Sequence, residues 1–234
     1  MSNVKPVRDR PVLATFKGTP WGTGFLNRAR LQCDRGVKWN GTVPGGRLHP
    51  DGPVLTTLWG SLGDYDYMGL LNNTIFCPQP AGTTGESFLL LFVPAGLFCF
   101  FGLVLKLLLV VIGWSTRLAD SIYAGCIPIL IGDSSHYPFF DVIDWGKISV
   151  RVDINDLSHL EEHLLSKYTL EDIERLQTNL MLVRNAFLYP LDNTSPEDAQ
   201  KHMLDERGPL YFALLSTKMK LLTEWPIADA YDRP

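Results

Sequence analysis

Thr74-Ile-Phe-Cys-Pro-Gln-Pro-Ala-Gly-Thr-Thr-Gly85 and Trp114-Ser-Thr-Arg-Leu-Ala-Asp-Ser-Ile-Tyr-Ala-Gly-Cys-Ile-Pro-Ile-Leu-Ile131 decide the fold between them. The first stretch reads as a strand, Thr74 to Cys77, whose end, Pro78 to Gly85, is a loop by composition. In the second, Ser115 caps a helix that runs through Ala124 and is stopped by Gly125. Ile127 to Ile131 is then a near-continuous apolar strand, the kind buried on both faces of a parallel sheet. Strand, glycine loop, helix and strand make a βαβ unit, and such units predict an α/β domain with a parallel sheet. Ligands of such sheets gather at the carboxyl ends of the strands, so the loops after Phe16, Cys77 and Ile131 are the ones that matter.

Between the two stretches lies Ser87-Phe-Leu-Leu-Leu-Phe-Val-Pro-Ala-Gly-Leu-Phe-Cys-Phe-Phe-Gly-Leu-Val-Leu-Lys-Leu-Leu-Leu-Val-Val-Ile112. Length and apolarity make it a candidate transmembrane helix, blemished by Pro94 and Lys106. It stands where a βα connection of roughly 2 to 6 residues belongs. A single span there would tear the sheet in two. Gly85-Glu86-Ser87 can be encoded with GTGAGT, a splice-donor consensus, and Val111-Ile112-Gly113 can supply an acceptor AG. Removing residues 86–113 keeps the frame and rejoins one glycine, and a T-rich pyrimidine tract translates as Phe, Leu and Val. The segment therefore reads as a retained intron, expected as an extruded hydrophobic helix.

Working toward the N-terminus, Pro11 to Phe16 predicts a strand ending at Lys17-Gly18, then a loop with Gly18, Gly22 and Gly24 and a helix from Phe25 to Asp34. Residues 35–52, rich in Gly and Pro, read as a loop. Val54 to Trp59 is a second strand, and Tyr65 to Asn72 a short helix. Beyond Ile131, Lys147 to Val152 is a further strand. Asp156 to Tyr168 is a helix with Leu157, Leu160, Leu164 and Leu165 at the 3.6-residue period. Thr169 caps the next helix, with Glu171 and Asp172 in its first turn, and Ser195-Pro196 starts another.

Apolar residues make up 46% and charged residues 20% of the 234, enough for a real core. A net charge of −4 without a basic run argues against nucleic acid as partner. The polar start, Met1 to Pro11, is neither a signal nor an anchor. Four cysteines, at 33, 77, 99 and 126, are too sparse for a disulfide framework, and Cys77 and Cys126 read as packing residues of buried strands. His159 and His163 sit four apart, but His-Leu-Glu-Glu-His is not H-E-x-x-H, so no metal is inferred. Sequons at Asn40, Asn72 and Asn193 permit a secretory route without showing one. Trp145 and Phe139-Phe140 read as core or loop anchors.

With the insert removed, Asn72-Asn-Thr-Ile-Phe-Cys-Pro-Gln-Pro through Gly85, Ser115-Thr-Arg117, Asp120 and Gly125-Cys-Ile-Pro128 follow one another in order. This series resembles the exostosin family of glycosyltransferases. Tyr137-Pro-Phe-Phe-Asp-Val-Ile-Asp-Trp145 is similar to that family's L-P-F-x-x-x-I-x-W, and Leu13 to Gly18, Arg28 and Leu55-Thr-Thr57 are similar to its first two strands. The resemblance runs from about Arg10 to about Leu188. It implies the C-terminal, donor-binding domain of a GT-B enzyme, with a Rossmann-like sheet and flanking helices. The expected division is a tail over 1–10, donor-domain halves over 11–85 and 114–190, the insert over 86–113, and a helical extension over 191–234.

The same resemblance implies a nucleotide-diphosphate sugar as co-substrate and a glycan or glycoprotein acceptor, in the Golgi lumen or at its membrane. A diphosphate leaving group needs cations and helix-terminal N–H donors. Arg117 and Arg28 would meet it, with Ser115, Gly82, Thr83 and Thr84 adding hydrogen bonds and Gly18 opening the first loop. Asp120, one turn beyond Arg117, would accept from a ribose or base-side group; the family more often has Glu there. Against these stand plain readings: a surface ion pair for Arg117 and Asp120, and a solvated helix for Arg28 with Arg30 and Arg35. No catalytic base can be named. The N-terminal GT-B domain is expected to be missing, and the chain as written is expected to be inactive. A non-catalytic nucleotide-sugar-binding module and a single-pass membrane protein are the competing readings.

Overall fold

The computed structural model describes residues 4–17, 42–60, 66–79, 116–131, 137–153, 155–188 and 208–224. Its centre is a six-stranded sheet. In chain order the strands are β1 (Val12–Lys17), β2 (Thr42–Gly46), β3 (Leu55–Gly60), β4 (Thr74–Gln79), β5 (Ile127–Ile131) and β6 (Val150–Val152). Across the sheet they run β2-β3-β1-β4-β5-β6. β1 pairs in parallel with β3 and β4, and β5 with β4 and β6, whereas β2 is antiparallel to β3. The helices are α1 (Tyr67–Asn72), α2 (Thr116–Tyr123), α3 (Leu160–Lys167), α4 (Leu170–Val183) and α5 (Pro209–Glu224).

The chain steps outward from β1 to β3 and then returns past β1 to β4. The direction of winding thus reverses between β1 and β4, and the crevice of such a sheet opens at the carboxyl ends of those two strands. Every residue of β1, β4 and β5 is buried, as an apolar strand covered on both faces requires. Ile127 and Ile129 of β5 pack with Leu160 and Leu164 of α3 and Ile173 and Leu176 of α4. Leu130 joins Leu118 and Ile122 of α2 in a separate cluster with Leu180 and Phe187. Burying each of these side chains contributes about 1.5–3 kcal/mol.

The amino end of the sheet is tied by Arg10, which is 1% exposed. Its Nε donates to Lys5 O at 2.9 Å, Nη1 to Leu71 O at 3.2 Å and Thr74 O at 2.6 Å, and Nη2 to Ala124 O at 2.9 Å. Burial lowers its pKa to about 10. Residues 4–10, read above as part of a tail, are therefore built into the domain, with Val7 in the core beside β1. Gly125, with φ of 66°, turns the chain from α2 toward β5 in the left-handed region.

Four expectations are corrected. The stretch read as a loop over 35–52 contains β2, whose Pro44 and Gly46 are tolerated because β2 is an edge strand. The strand expected from Lys147 begins only at Val150, after a 3-10 turn over Trp145–Lys147. Cys77 and Cys126 are buried but also joined in a disulfide, with Cα atoms 5.9 Å apart. The helix read over Asp156 to Tyr168 starts as a 3-10 turn, Asp156–His159, before α3. Thr169 does cap α4, in a capping box with Asp172.

The hydrophobic run 87–112, the helix expected over 25–34 and the one expected at Ser195-Pro196 lie outside the described residues. Among the described residues no helix is long and apolar enough to cross a membrane. β4, before the run, pairs with β5, after it, from Phe76↔Ile127 to Gln79↔Leu130.

Candidate functional site

The carboxyl ends of β1 and β4 and the first turn of α2 converge on one region. Arg117 stands in that first turn, and Ser121 Oγ, one turn on, donates to its carbonyl at 2.7 Å. The Arg117 guanidinium carbon lies 5.1 Å from the ring centroid of Phe16, the penultimate residue of β1. A cation over an aromatic face is held electrostatically and loses part of its hydration. Burial lowers the Arg117 pKa, while the charges of Tyr67 and Asp120 draw it back up.

Asp120 lies one helical turn beyond Arg117 on α2. Burial raises its carboxyl pKa, and Arg117 opposes that rise. Tyr67, the first residue of α1, packs against Leu71, Cys77, Ala124 and Cys126. Its hydroxyl is pushed up to about 12, first by burial and next by Asp120. Arg117, Asp120 and Tyr67 are thus each partly withdrawn from water. In such a place a cation interacts more strongly with an anion than it would in water.

Two further polar side chains close this end of the sheet. Lys17 ends β1 with 9% exposure, and burial lowers its pKa. Gln79 ends β4 with 6% exposure. Its Nε2 donates to Cys77 O at 3.1 Å and to Ser121 Oγ at 2.9 Å.

Of the residues singled out from sequence, Arg117 and Asp120 are brought together here. Gly18, Arg28, Gly82, Thr83, Thr84 and Ser115 lie outside the described residues. Gly18 directly follows Lys17, and the stretch holding Gly82, Thr83 and Thr84 directly follows Gln79, so both leave the sheet at this end. Tyr67, Gln79 and Lys17 were not selected from sequence. The only trace they offered was position, each at the start or end of an element bordering the crevice.

His159 Nδ1 faces Glu162 at 4.0 Å and His163 Nδ1 faces Asp156 at 3.8 Å. Among the described residues no group of three or more His, Cys, Asp or Glu could hold a metal. The anchoring role read for Trp145 holds: it is buried, donates from Nε1 to Pro138 O at 3.2 Å, and meets Phe187 edge-on. Phe139 packs beside Phe187 and Phe212, whereas Phe140 is 50% exposed.

A mainly parallel sheet wound in this order, flanked by helices, is a Rossmann-like α/β domain of the kind found in GT-B enzymes. The chain belongs to the exostosin GT47 family, whose domain profile matches residues 2–167. It is 36% identical over 94 residues to a probable glucuronosyltransferase of Oryza sativa subsp. japonica, which covers 39% of this chain and 21% of that protein. It is 36% identical over 94 residues to a probable β-1,4-xylosyltransferase of Arabidopsis thaliana, covering 39% and 22%. A probable glycosyltransferase of the same species is 38% identical over 73 residues, covering 31% and 15%. The matched stretch thus spans less than a quarter of these relatives.

Proposed function

We propose that this chain is the donor-binding part of a glycosyltransferase that takes a nucleotide-diphosphate sugar at the carboxyl ends of β1 and β4. The supporting observation is Arg117, a half-buried cation in the first turn of α2 and against Phe16, beside the reversal of the sheet. A diphosphate carries its charge to such a point, and the amino end of a helix adds partial positive charge. The bond that breaks joins the anomeric carbon to the diphosphate, and the departing oxygen gains negative charge. Arg117 is placed to take up that charge. Asp120 is the acceptor for a ribose or base-side donor. Gly18, Arg28, Gly82, Thr83, Thr84 and Ser115 complete the set on the loops leaving this end.

The names of the relatives favour glucuronic acid or xylose as the sugar, and the acceptor in this reading is a glycan or glycoprotein. The acceptor face and the catalytic base belong to a GT-B partner domain. The Cys77–Cys126 disulfide suits an oxidising compartment such as the Golgi lumen. A second reading follows from the 36 residues between Gln79 and Thr116, where a short connection is usual. It is a module that binds the nucleotide sugar without turning it over.

Calorimetric titration of the 234-residue chain with a panel of nucleoside diphosphates tests the donor reading. Binding weakened at least ten-fold by Arg117→Ala supports it, and binding indifferent to that change contradicts it. Sugar release from the bound donor then separates enzyme from module.

A further inference from the structure

We infer that Gln79 and Ser121 are positioning residues for Arg117, doing the work that a short βα connection does in an uninterrupted unit. The inference rests on the donor-site reading above. Between β4 and α2 the chain is 36 residues long, so the covalent connection places α2 only loosely against the strand it follows. The register of α2 on the sheet then comes from contacts within the folded part: the packing of Leu118 and Ile122 in the core and two polar or covalent cross-links from β4.

One is the Cys77–Cys126 disulfide, which ties β4 to the residue just before β5. Cys126 follows the carboxyl end of α2, so the disulfide holds that end of the unit. The other is a hydrogen-bonded relay that also starts at Cys77 and enters α2 at Ser121. Cys77 O accepts from Gln79 Nε2 at 3.1 Å, and the same nitrogen donates to Ser121 Oγ at 2.9 Å. Ser121 Oγ in turn donates to Arg117 O at 2.7 Å. Gln79 is 6% and Ser121 1% exposed, so water does not compete for these bonds. The relay runs from the backbone of β4 to the backbone of the residue whose side chain stacks on Phe16.

A glutamine at position 79 is suited to this because its carboxamide nitrogen carries two protons and can serve two acceptors at once. Methionine fills the same volume and donates to neither. Breaking the relay leaves the disulfide and the buried Leu118 and Ile122 in place, so α2 stays docked, but its first turn loses the polar tie to β4 and Arg117 shifts off the ring of Phe16.

The experiment uses the full 234-residue chain, with Gln79→Met, Ser121→Ala and Arg117→Ala made singly and Gln79→Met combined with each of the other two. Nucleoside diphosphate affinity is expected to fall about five- to ten-fold in Gln79→Met, with no further fall when Ser121→Ala is added. In the Arg117→Ala background the change at Gln79 is expected to have no effect. Losses that multiply independently across these pairs overturn the inference. The Arg117 side-chain NMR resonances, shifted by the Phe16 ring current, give a ligand-free readout. They are expected to lose that shift in both relay variants, and retention of it overturns the inference. If the unaltered chain binds no nucleoside diphosphate, the donor reading fails while the resonances still decide the relay.

Discussion

Cys77 and Cys126 are joined across 49 positions of sequence, and the loop they close contains the whole of the hydrophobic run. The bond lies between neighbouring parallel strands and is buried, with the two residues 2% and 0% exposed. It holds the two halves of the βαβ unit together whatever occupies the chain between them.

Reduction is expected to cost about 4 kcal/mol of stability, the loop-entropy value for a closure of this length. Guanidinium melts of oxidised and reduced protein measure it. Deleting residues 86–113 shortens the loop, and the cost of reduction then falls by roughly 0.7 kcal/mol. Mass mapping without reduction is expected to find Cys77 and Cys126 in one linked peptide pair.

Arg10→Met removes four buried bonds at the amino end of the sheet, to the carbonyls of Lys5, Leu71, Thr74 and Ala124, although Lys5 O keeps Gln177 Nε2 and Leu71 O keeps Asn73 N. With four bonds lost at a buried site, destabilisation of about 3 kcal/mol is expected. Gly125→Ala meets the same network. A Cβ there stands 2.4 Å from Val4 Cγ1 and 3.1 Å from Arg10 Nη2, at a φ of +66°. Loss of about 2 kcal/mol or more is expected in denaturant melts, from left-handed strain and overlap together.

Acid is expected to loosen α4 first. The Thr169 hydroxyl and backbone N–H, with Arg175, hold the Asp172 carboxyl below its usual 3.8, and Arg8 holds Glu174 below 4.5. Each ionised carboxylate stabilises the fold above its unfolded value. That contribution is lost as pH falls from about 4.5 through the depressed folded values. Thr169→Ala removes the cap at a cost of about 1 kcal/mol at pH 7 and flattens the acid limb below pH 4.5. Denaturant midpoints between pH 7 and pH 3 check both.

Much of the fold was legible because buried parallel strands are short apolar runs. Ile127–Ile131 coincides with β5, and Val12–Lys17 differs by one residue at each end from the strand read at Pro11 to Phe16. Thr169 was legible because its capping partner lies three residues away. β2 was not, since an edge strand needs no apolar alternation and tolerates the Pro and Gly that mark a loop. The disulfide was missed because a pair 49 residues apart leaves no local pattern, and its partners sit in or just before buried strands, where cysteine packs well as a thiol. Arg117 and Asp120 were found through their place in the motif series. Tyr67 and Gln79 reach them from other elements, and only the packing of α1 and β4 against α2 reveals it.

The most direct test of the account is photoaffinity labelling of the 234-residue chain with an azido-nucleoside diphosphate, mapped by peptide mass spectrometry. The labelled peptides should carry Gln79, Arg117 or Lys17, and excess unmodified nucleoside diphosphate should suppress the label. The opposite end of the sheet has a cavity of its own, about 290 Å³, lined by Val7, His49, Leu55, Ile75 and Leu170. Label confined to those residues, with none at the carboxyl ends of β1 and β4, would contradict the placement of the donor site.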